Sequence, residues 1–363
     1  MLARDSPITF RERTTAMSST RAAPRAAKKK PAAERSAPNR PPAKRGSAHP
    51  PGPGRPSPAR GDGTALHPFV LPGEPEARVY VGDCREVLPA IPEARARSVD
   101  LIFADPPFNW NRAYDKWHDA MPREDYLKFT REWLDLCVDA LAPHGTLWVN
   151  IPDDTAAEIV VHLKSRLEMI NWCVWHYRFG QNRLGGFINS KVHALYFARS
   201  RANRRWNADD ILEPSDRATT YFDPRTHAKK EGRNGMRVPM DVWYGKYWGR
   251  IQGNNRERRH GHDNQLPEVY LERVIRACSN RGDLVLDPFL GSGTTSTVAR
   301  GLERRSIGIE FSADNARRAV ERIGQGPVDL GKGLNQSTAI FAPRKASRAT
   351  RERFAAPLPP GPG

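Results

Sequence analysis

Two short runs carry residue types spaced for chemistry. The first is Asp105-Pro106-Pro107-Phe108-Asn109-Trp110, directly after the apolar stretch VDLIFA at 99–104. Two prolines fix the backbone, so the Pro106 carbonyl is held beside the Asp105 carboxylate. They form two acceptors aimed at one point, with the Phe108 ring next to it. A planar –NH2 group would satisfy both acceptors while its own ring stacked on Phe108. The second run is LVLDPFLGSGTT at 284–295. Here an apolar strand ends in Asp287, a glycine turn follows, and a helix opens at about Thr294. Glycines let a ligand approach the backbone closely, and a helix start offers free N–H groups.

The glycine turn is neither common phosphate loop. A P-loop needs GxxxxGK[ST], and the lysine is missing; the dinucleotide fingerprint GxGxxG fails at Ser296. A turn flanked by an aspartate suits a ligand with an ammonium and a ribose rather than a pyrophosphate. Glu310, at the end of the next predicted strand, is placed to accept hydrogen bonds from ribose hydroxyls. S-adenosylmethionine meets these demands.

The elements around the two runs follow from periodicity. Residues 78–83, 99–105, 145–151, 171–179, 192–198, 283–287 and 306–310 read as strands. Helical patterns cover 124–141, 266–280 and 294–304, and a last helix opens at Ser312. A further helix reaches about residue 168, with Asp153 or Asp154 as its N-cap. Such alternation predicts an α/β fold, an open sheet with helices on both faces. The connection between 179 and 192 is glycine-rich without a helical pattern, so those two strands should run antiparallel. The stretch 200–262 breaks the rhythm and reads as an insertion. In it, basic side chains interleave with Trp243, Tyr244, Tyr247 and Trp248, a pattern suited to phosphate contact and groove readout. Arg256, Arg258 and Arg259 would then touch phosphates; the alternative is a basic loop packed by its own aromatics.

Charge is uneven along the 363 residues. Residues 1–72 hold 14 Lys/Arg against 4 Asp/Glu, with 13 of the 32 prolines, and 344–363 hold five basic residues against one acidic. These segments bury too little apolar surface to offset ordering entropy and should be disordered. Between them lies only about +3 of the chain's formal +17. The basic tail suits a sequence-independent tether to nucleic acid, and equally a solubilising extension. No apolar run approaches membrane-spanning length, and the N-terminus has no apolar signal core. Four scattered cysteines make neither a disulfide scaffold nor a zinc ribbon.

DPPF together with DPFLGSGTT resembles the amino-methylating DNA methyltransferases, which move a methyl group from S-adenosylmethionine to adenine N6 or cytosine N4. The resemblance spans roughly 78–325, and Asp105 preceding Asp287 is the order of that family's permuted β group. It implies a circularly permuted, Rossmann-like S-adenosylmethionine-dependent methyltransferase fold, with a mostly parallel seven-stranded sheet and an antiparallel hairpin. The catalytic domain would be 73–342, flanked by disordered tails at 1–72 and 343–363, with 200–262 as its target-recognition region.

On that resemblance Asp105, Pro106, Pro107 and Phe108 form the catalytic motif, and Trp110 extends the target pocket. Asp287, Phe289, Gly291, Gly293, Thr294 and Glu310 hold the cofactor. Asp83, in Gly82-Asp83-Cys84, is similar to the aspartate that contacts the cofactor adenine. Asn264-Gln265-Leu266-Pro267-Glu268 matches the segment that packs over the methionine end. The implied activity is site-specific methylation of a flipped adenine in double-stranded DNA, because an aspartate-first motif goes mostly with adenine and a serine-first motif with cytosine. Cytosine N4, RNA, and a non-catalytic DNA-binding protein of the same fold are the alternatives. A homodimer and a cognate restriction endonuclease are further partners it allows; membranes and metals have no place in it. The location it implies is the cytoplasm, at the nucleoid.

Overall fold

Runs of β-branched and aromatic residues alternate with amphipathic runs, and in the computed structural model each becomes a strand or a helix. The structure describes residues 67–111, 119–177, 185–219, 235–259 and 264–334. In chain order it forms β1 (Phe69–Leu71), β2 (Ala77–Val81), α1 (Cys84–Val87), α2 (Pro92–Arg95), β3 (Val99–Ala104) and α3 (Arg123–Ala140). Then come β4 (Leu141–Ile151), α4 (Asp153–Leu163), β5 (Glu168–His176) and β6 (Lys191–Ala198). The stretch read as an insertion supplies β7 (Glu213–Pro214), α5 (Asp216–Thr219), β8 (Met236–Arg237) and β9 (Val242–Trp243). The chain continues through α6 (Glu268–Cys278), β10 (Leu284–Asp287), α7 (Thr294–Gly301), β11 (Arg305–Glu310) and α8 (Ala313–Gln325).

The main sheet runs β1-β2-β11-β10-β3-β4-β6-β5-β9. All seven expected strands are in it, and the short edge strands β1 and β9 bring the number to nine. β2, β11, β10, β3 and β4 are mutually parallel, whereas β6 is antiparallel to both β4 and β5. β3 is buried at all six residues, as a central parallel strand must be. Its alternation splits the core in two. Ile102 and Ala104 face a cluster with Tyr126, Phe129 and Trp133 of α3. Leu101 and Phe103 face Tyr270, Val274 and Ile275 of α6 and Val298 of α7.

Four local expectations change. β1 begins at Phe69, inside the span expected to be a disordered tail to residue 72, so the ordered body starts earlier. The remainder of the expected tails, 1–66 and 343–363, lies outside the described residues. β4 begins at Leu141 rather than 145, because a bulge lets Val99 pair with Leu141 and Leu101 with Thr146. Only glycine fits that bulge: a Cβ on Gly145 would sit 2.8 Å from the Val99 carbonyl oxygen. The cap residue of α4 is Pro152, not Asp153 or Asp154; the Asp153 carboxylate instead binds Lys191 and His193. That helix also stops at Leu163, which frees Glu168 to open β5.

The fourth change concerns 200–262, whose tryptophans read as suited to a groove. Asn207 anchors to the end of α6 through the carbonyls of Ala277, Arg276 and Ser279, and β9 adds to the sheet beside β5. Trp243 and Trp248 are buried against Tyr270, with the Arg273 guanidinium 4.3 Å from the Trp248 ring centre. They are core residues and cannot read a groove. Composition alone does not separate a buried tryptophan from an exposed one.

Candidate active site

Parallel strands deliver their C-terminal residues to one edge, where open α/β sheets bind ligands. Here that edge carries Asp83 after β2, Asp105 after β3, Asp287 at the end of β10 and Glu310 at the end of β11. All four line one cleft, of about 200 Å3, together with Pro106, Pro107, Phe108, Trp110, Phe289, Gly291 and Thr294. The two sequence motifs, whose aspartates are 182 residues apart, thus meet.

The Asp105 segment is held from several sides. Asn150, buried on β4, donates from Nδ2 to Asp105 Oδ1 (2.7 Å) and accepts at Oδ1 from the Tyr270 hydroxyl (3.1 Å). The tyrosine therefore fixes which way the amide faces, and the amide fixes the carboxylate. The Tyr126 hydroxyl holds the Pro107 carbonyl at 2.8 Å, pinning the backbone next to Pro106. Phe108 meets Trp110 edge to face with ring centres 5.2 Å apart. Beyond it, Asn109 lies in the left-handed region at φ 59, where asparagine is one of the few tolerated side chains. Its amide exchanges hydrogen bonds with both backbone groups of Met121, at 2.9 and 2.6 Å. The buried Asp119 carboxylate accepts from the Asn109 and Trp110 amides, at 2.8 and 3.0 Å. Neither Asn150 nor Asp119 was singled out from the sequence.

This clamp makes a testable demand. Asn109→Ala should cost about 1–3 kcal/mol of stability by stranding the Met121 groups. It should also depress turnover more than cofactor affinity, because it loosens Phe108 and Trp110 but not the glycine turn. Chemical denaturation and calorimetric titration check the two halves.

Across the cleft, Asp287 Oδ1 accepts from the Phe289 amide at 2.9 Å, and the Phe289 ring stands edge-on to Trp133 at 5.0 Å. Gly291, at φ 53, donates its amide to Glu310 Oε2 (2.9 Å), while Glu310 Oε1 accepts from the Ser312 amide (3.0 Å). Gly293, at φ 80, ends the turn as the cap residue of α7. It does not line the cleft: a Cβ there would meet Ala319 Cβ at 3.1 Å, so this glycine seats the turn on α8. Thr294 lines the cleft, but its hydroxyl already accepts from the guanidinium of Arg322 (2.7 Å). Arg322 is itself fully buried and also binds Glu268 (3.3 Å). Glu268 thus braces the turn from behind instead of facing a ligand, and Arg322 was not legible as its partner.

The cleft's electrostatics favour a cation. Burial lifts the Asp105 carboxyl to about 7, against the Asn150 hydrogen bond and with help from the Asp287 charge. Burial lifts Asp287 to about 7 as well, opposed by bonds from Thr295 and the Phe289 amide, with the Glu310 charge adding. Glu310 is also raised, chiefly by burial. Three destabilised carboxylates in one cleft fit a ligand carrying positive charge. The four cysteines are buried free thiols whose pKa values burial pushes up, Cys173 to about 12. None is primed as a nucleophile. Among the described residues no group of three His, Cys, Asp or Glu could hold a metal ion, and no helix is long and apolar enough to cross a membrane.

Other expected contacts are already engaged. Asp83 caps α1 through the Arg85 amide (2.9 Å) and is bridged by the Arg85 guanidinium at 3.1 and 2.7 Å. It lines the cleft with both oxygens occupied. Arg259 folds onto the carbonyls of Arg256, Glu257 and Arg258 (3.3–3.4 Å), and Arg258 onto that of Gly253 (3.2 Å). Both make local turn contacts while staying half-exposed, and Arg256 is exposed.

A family model described as "DNA methylase", for N6 and N4 methyltransferases, matches residues 99–321. The Type II methyltransferase M.HpaI of Haemophilus parainfluenzae is 32% identical over 242 residues, 66% of this chain and 73% of its own. The DNA adenine methyltransferase YhdJ of Escherichia coli (strain K12) is 29% identical over 252 residues, 68% of this chain and 83% of its own. Among solved structures, the cytosine-N4-specific PvuII DNA methyltransferase superposes with a TM-score of 0.52 at 16% identity. That match covers 68% of this chain and 86% of that one.

Proposed function

The chain belongs to the N6/N4 DNA methylase family, and on that premise we propose that it methylates the exocyclic N6 of an adenine extruded from duplex DNA, with S-adenosylmethionine as methyl donor. One observation carries the reading: Asp105, oriented by Asn150, shares a cleft with the glycine turn and with two further carboxylates suited to a cation. When bound, S-adenosylmethionine supplies an electrophilic methyl on a positive sulfonium. Asp287 and Glu310 stand where they would neutralise its charge and accept from its ribose, and Phe289 and Gly291 would form the wall beside them.

An exocyclic amine is a weak nucleophile because its lone pair is delocalised into the ring. With Oδ1 of Asp105 occupied by Asn150, Oδ2 and the Pro106 carbonyl accept from the –NH2 group. Two hydrogen bonds favour a pyramidal nitrogen with a freed lone pair, and they strengthen as positive charge develops there. The rigid Asp-Pro-Pro backbone holds the acceptors before the amine arrives, which is preorganisation rather than induced fit. Phe108 offers its face to the base, and Trp110 closes the rim. A paired base cannot present its amine in such a cleft, so extrusion from the stack is required. An aspartate opening the motif favours adenine over cytosine.

The direct test is methyl transfer from labelled S-adenosylmethionine to native duplex DNA, followed by nucleoside analysis. N6-methyladenine is expected. N4-methylcytosine would overturn the base assignment, and no label in any DNA would overturn the enzyme reading.

A pH prediction follows from the same geometry. Only ionised Asp105 is a double acceptor, so kcat/KM should fall as pH drops through about 7. The Asn150 hydrogen bond holds that pKa down. Asn150→Leu should therefore move the acid limb up by about one unit and cut the rate at pH 7 by roughly fivefold or more. Paired pH–rate profiles decide it, and coincident limbs would remove Asn150 from the mechanism.

A further inference from the structure

We propose that Phe187 and Ile188, in the connection between β5 and β6, enter the base stack of duplex DNA at the place the target base leaves. The inference rests on the reading above, that the cleft receives an extruded base. It begins with a side chain no packing explains. Phe187 is 98% exposed and Ile188 47% exposed, consecutive, and preceded by Gly185 and Gly186 in open space.

The position of the connection gives this pair its meaning. Ile151 pairs with His193 and His176 with Lys191, so the β5–β6 connection lies at the same sheet edge as Asp105. The stem is closed by the Ser190 carbonyl, which accepts from the Tyr177 amide at 2.9 Å and sits 2.9 Å from His176 Nδ1. Trp175, Tyr177 and Val192, at the base of the stem, line the cleft itself. Phe187 and Ile188 therefore belong to a connection that leaves the sheet at the cleft's own edge, from a stem that forms part of the cleft wall. Arg250, also on the cleft wall, stacks its guanidinium 5.3 Å from the Tyr177 ring centre and places positive charge beside the stem.

Two adjacent exposed apolar side chains beside the cleft edge fit one kind of partner. They cannot supply the ~1,200 Å2 that a stable protein interface needs. Extruding a base leaves an apolar gap of one base-pair spacing, and apolar wedges of the phenylalanine and isoleucine kind fill such gaps. An exposed flat ring and a cation at the stem match stacked bases flanked by phosphates. The gap left behind costs less when filled, so the wedge favours the open state that the chemistry requires.

The test separates wedge from chemistry. Wild-type protein first marks its site in plasmid DNA, and base-resolved sequencing locates it. Two synthetic duplexes then carry that site, one fully paired and one with an abasic residue opposite the target. Phe187→Ala should cut the rate about tenfold or more relative to wild type on the paired duplex, and less than about twofold on the abasic one, where the target is already unpaired. Phe187→Leu, which keeps an apolar wedge, should recover most of the paired rate. Melting temperature and S-adenosylmethionine affinity should match wild type. Equal loss on both duplexes, or no loss, overturns the proposal. A loss accompanied by slower sedimentation overturns it in favour of a contact between two copies. If wild-type protein methylates no DNA, the functional reading fails first and takes this inference with it.

Discussion

Asp105→Ala is expected to lower methyl transfer by at least about a thousandfold while S-adenosylmethionine affinity stays within about threefold of wild type. The carboxylate meets the amine rather than the glycine turn, so its loss removes an interaction that strengthens only as charge develops on nitrogen. Asp105→Asn should be no milder. Asn150 presents an N–H to Oδ1, so the new amide must turn its own oxygen toward Asn150 and its –NH2 toward the substrate amine, donor against donor. Stability moves the other way. The folded-state pKa of Asp105 is raised to about 7, so this carboxyl's contribution is fully present below the unfolded value near 4 and is lost as pH rises through 7. Removing the group abolishes that loss, and ligand-free Asp105→Ala should melt at or above wild type at pH 8. A variant that binds cofactor, melts no lower and transfers nothing has lost chemistry alone. Transfer assays, calorimetric titration and thermal melts at pH 6 and 8 give the three readings. Residual turnover within about tenfold of wild type would take Asp105 out of its assigned role.

What the sequence disclosed follows the range of the interactions involved. Asp105-Pro-Pro-Phe and the Asp287 turn are local: neighbours along the chain fix their geometry, so their chemistry can be read from spacing. The parallel strands were legible because buried strands read as unbroken apolar runs, of which β3 is an instance. Tyr270 lies 120 residues from Asn150, and nothing in WVNIPD marks that asparagine as facing a catalytic carboxylate. Arg322 reads as one more basic residue on a charged helix, yet it is buried because Glu268 and Thr294 wait for it across the core. The misreadings share a cause. Trp243 and Trp248 among arginines suggest a groove reader, and only the fold shows Arg273 stacked on them inside the core. Asp153 has the right type for a helix cap, but His193 and Lys191 on β6 claim it. Single-chain composition reports what a side chain can do; long-range packing decides which of those things it does.

Glu310→Gln, although nearly isosteric, is expected to weaken S-adenosylmethionine binding about a hundredfold, a loss near 2.7 kcal/mol. The reason lies in the number of acceptors. Both carboxylate oxygens are in use before any ligand arrives: Oε2 takes the Gly291 amide, and Oε1 takes the Ser312 amide with Asn315 Nδ2 at 3.4 Å. Oε2 keeps a further lone pair for a ribose hydroxyl, and Oε1 could give up only the long Asn315 contact for a second, so one side chain shapes the turn and grips the ligand together. A glutamine has one such oxygen. Whichever way its amide faces, an –NH2 opposes a backbone N–H, and that stranded donor costs about 1–3 kcal/mol. If it opposes Gly291, the turn at φ 53 loses its tether; if it opposes Ser312, the start of α8 loosens. Either orientation also halves the acceptors left for the ribose. Glu310→Gln should therefore melt below wild type even without ligand, the opposite of Asp105→Ala. Its turnover at saturating cofactor should fall far less than its affinity, because Asp105, Pro106 and Phe108 are untouched. Glu310→Asp keeps two acceptors but retracts them by a methylene, and should fall between. Affinity within about threefold of wild type for Glu310→Gln would mean that the carboxylate neither ties the turn nor meets the ribose.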